Sequence, residues 1–560
     1  MPDIYYLTSK ELPPMQHQTD CFYKLYNHKF AGIFGEQGTG KSRMLIDLVS
    51  NHFAEGHIDA VLLIAPKGVH EQWHDEQLPE HSPIPWTGFT WHATAGKTYR
   101  RDLKKFVELR DLSKLKWFFV NVDTFSTDGN IPFMRDFVKN HKTAVVVDES
   151  TRIKNHTANR THNILYNLAA LRKVGKVIKE VIPYSKYRYI LTGMQVTDSP
   201  YNLWAPFNFL RYDFFDMNFY AFKAKYGIEV MDRNKQTGQR YPRKISPTEI
   251  QSILKYYKQG YDVEQVSNIL GISESNVSYI IAHPNIRFPY KHLNELKTKI
   301  EPYSFIIRKK DCLDLPPQTY EKITVEMSPA QKKVYRDLEN KMIAEYSGRE
   351  LTVTSKLALL VRLQQVTSGF FPFETAEFDI KDEVWKVGTD IIPIGTKNPK
   401  VEAVKEQIDE LGNNKIFIAA KFIPEIKLLL EKLKKAYPDK TIEAYYGAVG
   451  DNERRRIKLG FSNGEIDILI MNVRMALGFN FQKFCHDGIA FSGTYSLEDR
   501  KQWEDRIHRK GQEQPVLYQD LVMKGTVDEK IYKAIKFKED LLEFFRDKSI
   551  VEFIQEGKSA

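Results

Sequence analysis

Cysteine is scarce in this chain of 560 residues: Cys21, Cys312 and Cys485 lie far apart, with no CxxC pair. That pattern excludes a disulfide framework and a cysteine-ligated zinc site, and it fits a reducing compartment. No run approaches the ~20 apolar residues that span a bilayer. The opening Met1-Pro2-Asp3-Ile4 lacks the charged segment and apolar run of a secretory leader. A cytoplasmic protein without a membrane partner is expected. Internal repeats and low-complexity tracts are also missing. What remains is ordinary globular composition, 42% apolar and 28% charged. The length exceeds what one core can serve and implies roughly three or four domains. A net charge of +10 leans toward a polyanionic partner.

Short apolar runs alternate with helix-like segments in two separate blocks, the pattern of parallel α/β sheets. The first block places strands near 32–34, 60–64, 117–120, 144–147 and 189–191. The second places them near 416–419, 442–445, 466–470, 488–491 and 516–521. Between the blocks, from about 213 to 289, the pattern is purely helical. After Thr526 the chain reads as a helix whose Ile531, Ile535, Leu541, Leu542 and Phe545 cap the second block.

Gly35-Glu36-Gln37-Gly38-Thr39-Gly40-Lys41-Ser42 fits G-x-x-x-x-G-K-[ST] between a strand and an apolar helical run. Glycines let backbone N–H groups close around phosphate, the helix N-terminus adds a favourable dipole, and Lys41 reaches the β/γ oxygens. Gly35, Gly38, Thr39, Gly40, Lys41 and Ser42 are thus expected to bind ATP, with Ser42 on Mg²⁺. The buried-type strand Ala144-Val145-Val146-Val147 ends in Asp148-Glu149. There Asp148 can hold the Mg²⁺ water shell and Glu149 can polarise the attacking water as general base.

Asp148-Glu149-Ser150-Thr151-Arg152-Ile153-Lys154-Asn155 resembles the DEAH-R-x-K-N box of Swi/Snf-type ATPases in helicase superfamily two. Leu62-Leu63-Ile64-Ala65-Pro66-Lys67, with Gln72-Trp73 and Glu76, looks like motif Ia. Leu191-Thr192-Gly193-Met194-Gln195, with Asn202-Leu203-Trp204, is similar to motif III and its sequel. Arg308-Lys309-Lys310-Asp311 with Leu315-Pro316-Pro317 resembles the inter-lobe connector. Gly478-Phe479-Asn480-Phe481-Gln482 looks like motif V, and residues 502–512 like motif VI. The resemblance runs from about Leu12 to Lys536, broken by an insertion. It implies two RecA-like parallel-sheet lobes with a helical insertion between them. By residues, it implies lobe 1 over 1–212, the insertion over 213–290 and a connector over 291–325. Lobe 2 with a helical protrusion then covers 326–535, and a helical tail 536–560.

Carried over, Gln18 (or Gln16) would read adenine, Gly478 would line the nucleotide, and Arg506 and Arg509 would be arginine fingers. Fingers of that kind contribute ~10³–10⁵ in rate elsewhere. Two departures stand out. Thr151 replaces the usual His, and Met194-Gln195 the usual Thr-Pro, at positions expected to couple hydrolysis to lobe closure.

The family lays duplex DNA across both lobes, which implies contacts from Lys67, Gln72, Arg152, Lys154, Asn155, Lys421, Arg474 and Asn480. Phosphate contacts give sequence-independent, salt-sensitive affinity. The insertion adds a helix-turn-helix pattern over 246–283: Ser246 and Glu249 form a capping box, Asp262 caps a second helix ended by Gly271, and Ser273 starts a third. The third helix would offer Ser275, Asn276 and Tyr279 to DNA. It carries no Lys or Arg, so protein docking stays open beside DNA binding.

The expected function is an ATP- and Mg²⁺-dependent translocase on double-stranded or branched DNA. Its working unit would be a monomer, with a replication or recombination protein as partner. Compactness points to a bacterial or phage member, nucleoid-associated in the host cytoplasm. The alternatives are a strand-separating DNA or RNA helicase, and a helix-turn-helix DNA-binding protein whose slow ATPase acts as a switch.

Overall fold

The computed structural model describes residues 7–546 apart from 10, 11, 93–95, 175, 176, 234–239, 285, 287, 347–352, 380–383 and 476–478. The chain divides into two compact units. One comprises Met1–Asp232, Pro242–Leu313 and Leu541–Ala560; the other comprises Arg233–Tyr241 and Asp314–Asp540. The boundary therefore passes through the expected connector instead of around it, and most of the insertion belongs to the first unit.

The first unit holds a seven-stranded sheet. From edge to edge its strands are Ser304–Ile307, Phe30–Gly35, Tyr187–Thr192, Thr143–Asp148, Ala60–Ala65, Leu115–Asn121 and Trp86–Thr90, every neighbouring pair parallel. Parallel strands need crossover helices, which cover both faces and make the central strands apolar throughout. Accordingly every residue of Ala60–Ala65 and of Thr143–Asp148 is buried. One face packs Ile33, Leu63, Val146 and Leu191 against Leu45, Ile46 and Leu48 of the helix Lys41–Ala54.

The second unit repeats the design with six strands in the order Gln318–Val325, Val516–Met523, Cys485–Ala490, Lys415–Ala420, Ile468–Asn472 and Ile442–Tyr445, again parallel. Side chains alternate across a strand. Ile416, Ile418 and Ala420 thus join one core, and Phe417 and Ala419 the other. Two parallel α/β sheets, as expected from the alternation of runs, are the architecture.

Several elements differ from expectation. The segment thought purely helical contains a two-stranded sheet, Glu229–Arg233 with Arg240–Lys244, before the helices Pro247–Lys258, Val263–Leu270 and Glu274–Ala282. Arg240, Arg243 and Lys244, with Pro242 among them, hide the pattern of the second strand. The edge strands Trp86–Thr90 and Ser304–Ile307 are short and follow Pro, which weakens their signal. The terminal helix Val527–Arg546 does not cap one block alone: Ile531 joins a core of the second unit, whereas Leu541, Leu542 and Phe545 are buried within the first.

Candidate active site

The phosphate loop leaves the carboxyl end of the strand Phe30–Gly35, where open α/β sheets bind ligands. Gly38 and Gly40 stand at φ of 85° and 81°, a left-handed backbone that only glycine adopts without strain. A Cβ on Gly35 would strike Thr39 Oγ1 at 2.6 Å, and one on Gly40 would overlap the Gln18 amide nitrogen. Gly40 is therefore dictated by both conformation and space, Gly38 by conformation, and Gly35 by space. Lys41 Nζ donates to the Gly35 carbonyl at 2.8 Å and to the Glu36 carbonyl at 3.4 Å, and Thr39 Oγ1 donates to the same Glu36 carbonyl at 2.8 Å. The ammonium is held by the loop's own backbone over the mouth of the cradle. Ser42, half-buried, follows at the start of the helix.

Gln18 is buried on the helix Gln16–Leu25, where its Oε1 accepts the Met15 N–H at 2.9 Å and its amide nitrogen lies against Gly40. Gln16 is exposed and donates to Asp20 at 2.9 Å. Of the two glutamines left open by sequence, Gln18 is the one beside the loop. His17, which sequence reasoning passed over, hydrogen-bonds the Thr39 carbonyl through Nε2 at 2.8 Å and is buried. A lone His on a short helix carries no signal that would have singled it out.

Asp148 ends a central strand and is buried. Its Oδ2 accepts the Trp73 indole N–H at 2.8 Å, and its Oδ1 accepts the Glu149 backbone N–H at 2.9 Å. Burial pushes its carboxyl above the usual Asp value, while the Trp73 bond and the positive charge of Lys41 pull back toward ionisation. Trp73 is itself fully buried and stacks on Trp117, centroids 6.1 Å apart. Glu149 adopts φ 50° and ψ 57°. A non-glycine residue in that region costs about 1–3 kcal/mol and persists where the surroundings enforce it, as at catalytic positions. Thr151 is buried and donates to the Glu149 carbonyl at 3.5 Å, so it bonds the backbone of the residue expected to be the general base. Gly193 of the next strand's turn comes to the Gly35 carbonyl, 3.8 Å from where its Cβ would be. Gln195 is buried, with neither end of its amide bonded.

In the second unit the guanidinium groups of Arg506 and Arg509 converge on one carbonyl, that of Phe479, at 3.4 and 3.1 Å; Arg509 also donates to Asn480 Oδ1. Arg506 is buried and bonds the Gln502 carbonyl at 2.8 Å, whereas Arg509 is half-buried. Burial holds the Arg509 pKa below the usual arginine value. Gly478 lies outside the described residues.

The expected DNA contacts sort unevenly. Lys67, Asn155, Arg474 and Asn480 are exposed, and Gln72 and Arg152 are half-buried. Arg474 leans on Asp499 at 3.8 Å. Asn155 caps its own turn by accepting from Thr157 N at 3.0 Å. Lys154 is engaged: Nζ bonds Asp198 at 2.7 Å and Thr197 at 2.9 Å, joining the Asp148 strand's exit to the segment after Gln195. Lys421 donates to Gln364 at 2.6 Å, and burial lowers its pKa.

Asn276 is a correction. It is buried, its Nδ2 donates to the Glu229 carbonyl at 2.8 Å, and its Oδ1 accepts from Lys291 at 3.2 Å. It fastens the third helix to the strand Glu229–Arg233 and has no face left for a base. Tyr279 is half-buried, stacks on His283 at 4.2 Å and accepts the His292 N–H at 3.2 Å. Of the three side chains offered by that helix, only Ser275 is exposed.

Among the described residues no group of three or more His, Cys, Asp or Glu could hold a metal alone, and no helix is long and apolar enough to cross a membrane. Among known proteins, the SNF2-related domain matches residues 16–369 and the helicase conserved C-terminal domain matches 399–511. The mouse DNA excision repair protein ERCC-6-like is 22% identical over 94% of this chain and 41% of its own length. The Saccharomyces cerevisiae ATP-dependent helicase FUN30 is 21% identical over 92% of this chain and 45% of its own. This chain thus spans less than half the length of those relatives. A Sulfolobus solfataricus SWI2/SNF2 ATPase core, solved in complex with dsDNA, aligns over 96% of this chain and 93% of that one, with 17% identity and a TM-score of 0.37. The first profile alone takes in more than half of the sequence, and the chain belongs to the SNF2-related domain family.

Proposed function

We propose that the chain is a DNA-dependent ATPase that moves along double-stranded or branched DNA, remodelling what is bound there without obligatory strand separation. The observation that carries this reading is the assembly at the first unit's strand ends: the Gly38/Gly40 cradle, Lys41, the Trp73-held Asp148 and the strained Glu149. The yeast relative's name, ATP-dependent helicase, and the mouse relative's, DNA excision repair protein, fit the same chemistry.

The residues fit ATP with Mg²⁺. Such a cation is held by one or two carboxylates and the substrate's phosphates, not by a protein cage. Ser42 and Asp148 would hold it, and it would neutralise charge on the β/γ oxygens. Lys41 would exchange its backbone carbonyls for those oxygens, a low-cost exchange because both partners are acceptors at the same loop. Gln18 would read the adenine edge. Glu149 would orient and deprotonate the attacking water. Arg506 and Arg509 are proposed as the fingers that stabilise charge on the leaving group, with Arg509 the more accessible. Lys67, Gln72, Arg152, Asn155, Arg474 and Asn480 are proposed to follow the DNA backbone, with Lys154 and Lys421 joining once their present partners are exchanged for phosphate. A monomeric working unit, a replication or recombination protein as partner, and a nucleoid-associated place in a bacterial or phage-infected cell complete the proposal. Steady-state hydrolysis with blunt duplex against no nucleic acid, with Glu149→Gln as blank, tests it: stimulation is expected, and equal turnover in both would reject it.

Strand separation is the second reading, favoured by the antiparallel hairpin Phe370–Asp379 with Val384–Pro393, long enough to act as a wedge. Release of a labelled strand from a forked duplex is expected to stay at background; ATP-dependent release would favour this reading.

A further inference from the structure

The last turn of the helix Val527–Arg546 brings a buried arginine to the phosphate loop. Arg546 Nη1 donates to Glu36 Oε1 at 2.6 Å, and Nη2 donates to the Gly193 carbonyl at 2.9 Å. The other carboxylate oxygen of Glu36 accepts the Lys309 backbone N–H at 2.8 Å. Glu543, one turn earlier, accepts from Arg546 at 3.0 Å and lies 3.6 Å from Arg308. Leu541, Leu542 and Phe545 seat this turn in the same unit as the loop. A single guanidinium therefore spans the second residue of the phosphate loop and the turn at Gly193.

We propose that Arg546 is a positioning residue of the nucleotide site, acting through Glu36. The inference rests on the ATP reading of the loop. The physical need is one of charge: Glu36 places a carboxylate in a loop that must receive a polyanion, and the buried guanidinium of Arg546 pairs with it. The Glu36 backbone carbonyl is the one that Thr39 and Lys41 share, so the side chain and the cradle move together. Arg546 cancels that negative charge and fixes the carboxylate in place. Without Arg546 the carboxylate keeps its bond to the Lys309 N–H but loses the charge that neutralises it, and it repels the triphosphate. Buried and bonded to Glu36, Gly193 and Glu543, the Arg546 guanidinium acts through these groups, so it sets ATP affinity and leaves the chemical step to Lys41 and Glu149.

The test measures ATP affinity and DNA-stimulated turnover of the full chain, by titration calorimetry with ADP and ATP and by steady-state kinetics. Arg546→Gln is expected to raise KM for ATP about ten-fold with kcat within about two-fold, and Arg546→Lys to recover part of the loss. Glu36→Gln alone is expected to keep or lower KM. The double variant Glu36→Gln/Arg546→Gln is expected to return KM to within about three-fold of the parent, because the offending charge is gone. A double variant as impaired as Arg546→Gln would overturn the proposal, as would an unchanged KM in Arg546→Gln. If Arg546→Gln does not fold, Glu36→Gln and Arg546→Lys still decide: a KM raised ten-fold in Glu36→Gln refutes the charge argument. Lys41→Ala separates the premise from the proposal. If it binds ADP and ATP as the parent does, the nucleotide reading of the loop has failed; if it loses them while Arg546→Gln does not, only the role of Arg546 has.

Discussion

The indole of Trp73, which opens the helical segment Trp73–Gln77, donates a 2.8 Å hydrogen bond to the carboxylate of Asp148 at the end of its strand. The bond opposes the burial that raises the Asp148 pKa. In the proposed site Asp148 must be ionised to hold Mg²⁺, so activity is expected to rise as pH climbs through its pKa. Trp73→Phe removes the donor and lets the pKa climb further. The acid limb of the kcat/KM profile is expected to move to higher pH, because the lost hydrogen bond favoured the ionised carboxylate. An unshifted acid limb would show that Asp148 does not depend on Trp73.

Gln18 and Gln16 separate cleanly by position. Gln18→Ala is expected to raise KM for ATP several-fold, about the value of one or two net hydrogen bonds, and to narrow the preference for ATP over GTP. Gln16, which faces Asp20 and solvent, is expected to tolerate alanine with no change in either. Nucleotide competition assays on the two variants decide it, and an effect confined to Gln16 would reverse the assignment.

The backbone of Glu149 carries strain that glycine would not feel. Glu149→Gly is expected to raise stability by about 1 kcal/mol relative to Glu149→Ala while both abolish hydrolysis and retain ATP binding. Urea denaturation of the pair measures this. Equal midpoints would mean that the left-handed conformation costs nothing in this setting.

His52 is buried with its pKa pushed down to about 4 by burial, and its Nε2 lies 3.1 Å from the Tyr189 hydroxyl. The folded state keeps it neutral while the unfolded chain protonates it near 6.5. Unfolded chain thus binds more protons between those values, so stability is lost as pH falls from about 6.5 to about 4, by roughly 3 kcal/mol in total. His52→Gln is expected to remove most of that slope; a variant with the parent's pH dependence would refute it.

Asn276, read from sequence as a base contact, serves the fold. Asn276→Ala is expected to cost about 1–3 kcal/mol, by leaving the Glu229 carbonyl and Lys291 without their partner, and to leave DNA affinity unchanged once the protein is folded. Binding to duplex by anisotropy, alongside a thermal melt, checks both. A specific loss of DNA binding without loss of stability would restore the recognition role.

Local signals and long-range ones were not equally legible. The phosphate loop and the strand before Asp148-Glu149 announce themselves, because glycines of positive φ and an apolar run followed by two carboxylates are consequences of local geometry. Central strands were found because burial on both faces makes them continuously apolar. Edge strands such as Trp86–Thr90 were not, since a half-covered, short segment has a weaker pattern. Trp73, His17 and Arg546 stayed hidden as partners of the site for a different reason: each acts through a contact fixed only by tertiary structure, the last between residues at opposite ends of the chain. The reverse error befell Asn276, whose polar side chain on a helix looked exposed until the strand Glu229–Arg233 was seen beneath it.

The most direct test of the central claim is ATP hydrolysis by the full chain with no nucleic acid, duplex DNA, single-stranded DNA, forked DNA and RNA in turn, with Glu149→Gln as the blank. Strong stimulation by blunt duplex, absent in the variant and weakened by salt, is the predicted result. Stimulation confined to single strands or RNA, or duplex binding with no turnover, would contradict it.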